Sequence, residues 1–116
     1  MKKILLIDDE EGIHLFYREE LEEEGYKVHS ALTGKDALQK FKVVSPDLVI
    51  LDINMPGMNG IEVLRRIKET SPKTPVILSS EYHEYKQDIG AWASDDYIVK
   101  SADLSDLKAA VRQLLS

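Results

Sequence analysis

The sequence predicts a doubly wound α/β sandwich, a parallel sheet of five strands with helices on both faces. Two observations carry this expectation. Short apolar runs recur at 4–7, 28–31, 48–51, 76–78 and 97–99, and apolar residues at helical spacing occupy the segments between and after them. Strand and helix alternating in this way is the pattern of βα units, whose crossovers cover both faces of a parallel sheet.

The first, third and fourth runs are continuously apolar (Ile4-Leu5-Leu6-Ile7, Leu48-Val49-Ile50-Leu51 and Val76-Ile77-Leu78), as strands buried on both faces require. The second and fifth read as edges. After the first strand, Ile13, Phe16, Tyr17 and Leu21 share one helical face, and Gly25 supplies a stop. A shorter helix starts near Thr33 and buries Ala37, Leu38 and Phe41. Ile61, Leu64 and Ile67 mark another, ended by Ser71-Pro72. Segment 82–93 carries only a thin stripe of Ile89 and Trp92. The last helix follows Asp103, a candidate N-cap, with Leu104, Leu107, Val111 and Leu114 as its seam.

A chain of 116 residues, 43% of them hydrophobic, holds one core, so a single domain over 1–116 is expected. No linker, repeat or low-complexity tract interrupts it. Twenty-one acids against 15 Lys and Arg give a net charge of −6, which opposes direct nucleic-acid binding. The absence of cysteine excludes disulfides and thiolate chemistry and fits a cytoplasmic protein. The apolar run after Met1-Lys2-Lys3 is too short for a signal or a membrane span, so no membrane partner is expected.

Right-handed crossovers bring the strand C-termini to one edge, where open α/β sheets bind their ligands. The residues at those ends are Asp8-Asp9-Glu10-Glu11, Asp52, Ser79-Ser80 and Lys100. Singly, such residues are ordinarily caps, turn hydroxyls or solvated charges; here they fall together. Asp8, Asp9 and Asp52 crowded at one edge would repel each other, and a hard cation relieves that. Oxygen-only ligands without cysteine or clustered histidine favour Mg²⁺, or Mn²⁺, over zinc. A carboxylate can also act as nucleophile toward phosphorus when the charge on the transferring oxygens is neutralised, which Lys100, a serine hydroxyl and the cation could do.

These motifs resemble, across nearly the whole chain, the receiver domain of two-component response regulators, of the single-domain chemotaxis or relay type. The stretches that carry the resemblance are Ile4-Leu5-Leu6-Ile7-Asp8-Asp9-Glu10, Pro46-Asp47-Leu48-Val49-Ile50-Leu51-Asp52, Met55-Pro56-Gly57-Met58-Asn59-Gly60, Thr74-Pro75-Val76-Ile77-Leu78-Ser79-Ser80 and Asp95-Asp96-Tyr97-Ile98-Val99-Lys100. The resemblance implies a flavodoxin-like sheet of order 2-1-3-4-5, with Asp52 as phosphoacceptor. It implies direct cation binding by Asp9, largely water-mediated binding by Asp8, and a further ligand in the Asn54 backbone carbonyl. Lys100 and Ser80 would hold the phosphoryl group. Ser80 is preferred to Ser79 because it lies five positions after Pro75, the family's usual offset. On phosphorylation Ser80 would be drawn inward and Tyr97 would swing to a buried rotamer, remodelling an output face made by segment 82–93, the fifth strand and the last helix. The implied partners are a histidine kinase or phosphotransfer protein and a downstream protein target, and the only catalysis is of the domain's own phosphorylation and dephosphorylation.

The chain departs from the family where Ser101 follows Lys100 in place of proline. A trans bond is therefore expected there, since a non-proline cis bond costs about 3–4 kcal/mol, together with a displaced Lys100 or following loop. Glu81 after the switch hydroxyl, Ala93-Ser94 and the run Tyr82-His83-Glu84-Tyr85 are also unusual and suggest an atypical output surface. Two other classes compete: a pseudo-receiver acting as a constitutive interaction module, and an aspartyl-phosphate phosphatase, whose motif wants an acid where Asn54 stands. His14, His29 and His83 read as packed or solvated imidazoles, and the Glu19–Glu24 cluster as a solvated helix face.

Overall fold

The computed structural model describes residues 1–53, 55, 57–80 and 94–116. The expectations placed on Asn54, Glu81, the helix over 82–93, His83 and Trp92 lie outside the described residues. Elsewhere the chain forms β1 (Lys3–Ile7), α1 (Glu11–Glu23), β2 (Lys27–Ala31), α2 (Gly34–Val44), β3 (Leu48–Asp52), α3 (Gly60–Thr70), β4 (Val76–Ser80), β5 (Asp96–Val99) and α4 (Ser105–Leu115). The strands pair in parallel in the order β2-β1-β3-β4-β5, as the resemblance implied.

Side-chain alternation divides the core in two. Leu5, Ile7, Val49, Leu51, Val76 and Leu78 point to the face covered by α2 and α3. Ile4, Leu6, Leu48, Ile50 and Ile77 point to the face covered by α1 and α4. On α1 the buried residues are His14, Tyr17 and Leu21, whereas Phe16, expected on the inner face, is 37% exposed. The helix is rotated so that positions 14, 17 and 21 face the sheet, and the imidazole takes the place that hydropathy assigned to the phenyl ring.

Local chemistry sets the helix ends. Thr33 caps α2 by accepting a hydrogen bond from the Asp36 N–H, and Asn59 caps α3 through the Glu62 N–H. Gly25, at φ +95°, turns the chain from α1 into β2. Asp103 accepts from both the backbone N–H and the hydroxyl of Ser105, so it serves the first turn of α4, although the cap position itself is Leu104. Asp95 accepts from the Val76 N–H and from Lys68, fastening the entry to β5 against β4.

Gly60 fixes how closely α3 begins against the end of β3. A Cβ there would stand 2.2 Å from the Asp52 carbonyl oxygen and 2.6 Å from the Ile53 Cα, both backbone atoms that cannot step aside. Its own N–H donates to the Ile53 carbonyl at 2.8 Å. Gly60→Ala is expected to lower the unfolding free energy by about 3 kcal/mol. Gly12→Ala, in α1 with nothing within 4 Å of the new Cβ, should instead stabilise by about 0.5 kcal/mol. Urea denaturation of both variants beside the wild type checks the pair.

Candidate functional site

Backbone pairing carries each chemical residue to the same edge. The Asp8 N–H donates to the Ala31 carbonyl at 3.1 Å, one step past β1, and the Lys100 N–H donates to the Ser80 carbonyl at 2.7 Å, one step past β5. Asp52 ends β3 in register with Ser79 of β4. By alternation Asp8 continues the Leu6 face, Asp52 the Ile50 face, Ser79 the Ile77 face and Lys100 the Ile98 face, so these four share the side covered by α1 and α4.

Asp8 and Asp52 are only 2% and 4% exposed. Lys100 lies between them, its Nζ 2.9 Å from Asp8 Oδ2 and 3.5 Å from Asp52 Oδ2. Burial alone would lower the Lys100 pKa, but the hydrogen bond to Asp8 and the charges of Asp8, Asp52 and Glu10 outweigh it and raise it above 10.5. No cis peptide bond occurs among the described residues, so the Lys100-Ser101 bond is trans as expected. The β5 pairing fixes the Lys100 backbone before that peptide bond, and its ammonium reaches both acids.

The acids whose ligand atoms approach within 4.8 Å of one another are Asp8, Asp9 and Glu10, with Asp9 and Glu10 exposed. Asp52 joins this set through Lys100. The sequence drew Asp9 and Asp52 together and left Glu10 aside; the turn after β1 brings Glu10 back, its N–H donating to Asp8 Oδ1 at 2.9 Å. These are hard oxygen donors, part buried and part open to solvent, and they fit a magnesium ion that keeps several waters. A buried lysine does not fully neutralise two buried carboxylates and two exposed ones, so the charge balance also favours a cation.

The two serines of β4 part company. Ser79 faces the Asp52 side, toward Tyr17, while Ser80, fully buried, faces the other side with Tyr97 and Val99. Tyr97 is 8% exposed, in the buried arrangement, and packs in the same cluster as Leu78.

Two supporting residues escaped the sequence reading of this edge. His14 is buried, and its Nε2–H donates to the Asp8 carbonyl at 2.7 Å, tying α1 to the start of the acidic turn; its Nδ1 is buried without a hydrogen-bond partner among the described residues. Tyr17 reaches under the edge from the next turn of α1. Burial raises its pKa, against the lowering effect of Ser79 and Lys100. The spacing 14, 17, 21 held that information, but it was masked by the greater hydropathy of Phe16.

Fold and site together define a class: an open α/β domain with an acidic, lysine-bearing pocket outside its strand ends. The family model for the response regulator receiver domain matches residues 4–112, and the chain belongs to that family, which places it in the two-component systems. It is 35% identical over 116 residues to the response regulator ArlR of Staphylococcus saprophyticus, and 33% identical over 117 to the regulatory protein AtoC of Escherichia coli. The match takes in 99% of this chain but 53% and 25% of those proteins, so the chain spans about half or less of the curated relatives it matches. Among solved structures, the response regulator TrrA of Thermotoga maritima bound to Mg²⁺ and BeF superposes with a TM-score of 0.96 at 45% identity, covering 99% of this chain and all of that one. TrrA in complex with the histidine kinase ThkA gives 0.94 at 46% identity, covering all of both chains.

Removing the lysine would leave two buried carboxylates facing each other. Lys100→Met is expected to cost about 3 kcal/mol at pH 7 in metal-free buffer. A raised pKa in a base means that its stabilisation is complete below the unfolded value and is lost as pH rises through the folded one. The gap between wild type and Lys100→Met should therefore be widest at neutral pH and narrow above pH 10.5. Urea titrations at a series of pH values measure it.

Proposed function

We propose that this domain is a phosphoryl-accepting switch whose acceptor is Asp52, loaded by a histidine kinase or phosphotransfer protein and read by a downstream protein. The observation that carries this reading is the placement of Asp52: a buried carboxylate at a strand end, with one oxygen 3.5 Å from the Lys100 ammonium and an acidic turn beside it. The structure of TrrA with Mg²⁺ and BeF, and that of TrrA with ThkA, support extending both the cation and the kinase to this chain.

In the proposed reaction an Asp52 oxygen attacks the phosphorus of a phosphohistidine. The new O–P bond forms an acyl phosphate as the N–P bond breaks, and the imidazole nitrogen takes back the electron pair. The phosphoryl oxygens gain charge, and Lys100 moves from pairing carboxylates to pairing one of them. Asp9, exposed, and Asp8, buried behind it, would hold Mg²⁺ with the Asn54 carbonyl. When bound, the ion supplies further neutralisation of the transferring oxygens. Ser80 lies on the opposite face and must turn inward to donate a hydrogen bond to the phosphoryl group. Its shared face with Tyr97 is the route by which that turn reaches the surface around β5. The domain then catalyses only its own phosphorylation and dephosphorylation, within the cytoplasm. No helix among the described residues is long and apolar enough to cross a membrane.

Incubation with acetyl phosphate and Mg²⁺ should add one phosphoryl group to the intact mass, and the adduct should vanish with EDTA or in Asp52→Ala. Asp9→Ala should weaken Mg²⁺ binding by about tenfold or more while leaving the fold intact, since the side chain is exposed. A wild-type protein that binds Mg²⁺ and forms no adduct would point to a constitutive interaction module. Steady phosphate release from small phosphoesters would point to a phosphatase.

A further inference from the structure

Away from the acidic edge, the outer side of β2 borders a groove of about 690 Å³ lined by residues of α1, β2 and α2. Ser30 is its hub. Arg18 of α1 donates from Nη2 to the Ser30 hydroxyl at 2.7 Å, while Lys40 of α2 donates to the Ser30 carbonyl from the other side of the strand. Lys27 lines the groove from the exposed start of β2, and Lys3 of β1 is held beside it by donation to the Val44 carbonyl. One acid lines it, Asp36, 3.3 Å from Lys40. His29 also lines it, its pKa lowered by burial and by the charges of Lys27, Lys3, Arg18 and Lys40.

Guarding an edge strand against unwanted pairing accounts for Lys40 on the Ser30 carbonyl. It does not account for cations converging on both faces of the strand in a chain whose net charge is −6, because Asp36 offsets only one of the three that line the groove and an anion would relieve the rest. Arg18 and Lys40 are moreover held in place by Ser30, so little side-chain freedom is lost when they bind. The volume suits a small molecule. An added peptide strand would lose the Ser30 carbonyl, which Lys40 already occupies. The fork of Arg18 suits phosphate geometry, and the exposed Val43 gives an apolar wall.

We propose that this groove binds a phosphorylated small molecule of roughly nucleotide size, its phosphates held by Arg18, Lys27 and Lys40 and its apolar part set against Val43. The site is independent of Asp52 chemistry. The test is titration of the isotope-labelled chain with ATP, in EDTA so that the acidic pocket cannot hold a metal-nucleotide complex, followed by NMR and calorimetry at physiological salt. Adenosine and an oligo-glutamate peptide serve as the other arms. The expected result is saturable ATP binding with shifts centred on 27–30 and 36–44, movement of the His29 ring toward its protonated form, and no binding of adenosine. Arg18→Ala and Lys40→Ala should each weaken it at least about fivefold. Lys27→Ala, at an exposed position, carries the same expectation should either of those fail to fold. Absence of saturation, affinity unchanged in the variants, equal binding of adenosine, or binding of the acidic peptide alone would overturn the proposal.

Discussion

Two carboxylates buried at the end of a parallel sheet, with one ammonium between them, are the constraint around which this domain is arranged. Asp8 and Asp52 are withdrawn from water almost completely, a placement tolerable for charged groups only when they are paired and hydrogen-bonded. Lys100 supplies the pairing, and the Glu10 amide supplies a hydrogen bond to Asp8. One positive charge against two buried and two exposed negative ones leaves the edge short of cations. A site left in that condition favours a divalent ion. The same imbalance that would destabilise an ordinary core is thus usable chemistry here.

The parallel sheet makes that arrangement cheap to hold. Each participant sits at the last ladder position of its strand or one step beyond, so ordinary backbone pairing with Ala31, Ser79 and Ser80 fixes it, and period-two alternation turns Asp8, Asp52 and Lys100 to one side. Gly60 lets α3 begin in contact with the backbone of Asp52 itself, so β3 is braced from behind. From the opposite layer α1 contributes His14, bonded to the Asp8 carbonyl, and Tyr17, which is buried close to Ser79 and Lys100. Both are polar groups in core positions, and His14 holds the backbone of the acidic turn in place without being one of its charges.

β4 turns two neighbouring hydroxyls to opposite layers. Adjacent serines necessarily face opposite layers: Ser79 lies with the charged residues, and Ser80 lies with Tyr97. A movement of Ser80 must act through a strand end whose carbonyls accept from Ile53 and Lys100. Any such movement is therefore felt at both neighbouring strands, which is the mechanical requirement for a local charge change to alter a remote surface.

Apolar periodicity by itself determined the strands, the helices among the described residues and the edge where Asp8, Asp52, Ser79, Ser80 and Lys100 collect, because hydrophobic runs and strand ends are local properties. The strand order came from family resemblance, since nothing local distinguishes one parallel order from another. Only the tertiary structure decided which residues share charge. It drew Glu10 rather than Asp52 into the close acidic set, seated Lys100 between Asp8 and Asp52 despite Ser101, and turned His14 rather than Phe16 inward. Those outcomes depend on the rotation of α1 against the sheet and on contacts between residues nearly a hundred positions apart, such as Asp8 and Lys100. A periodicity records that a face is buried; the partner each buried polar group meets is set by how the layers dock.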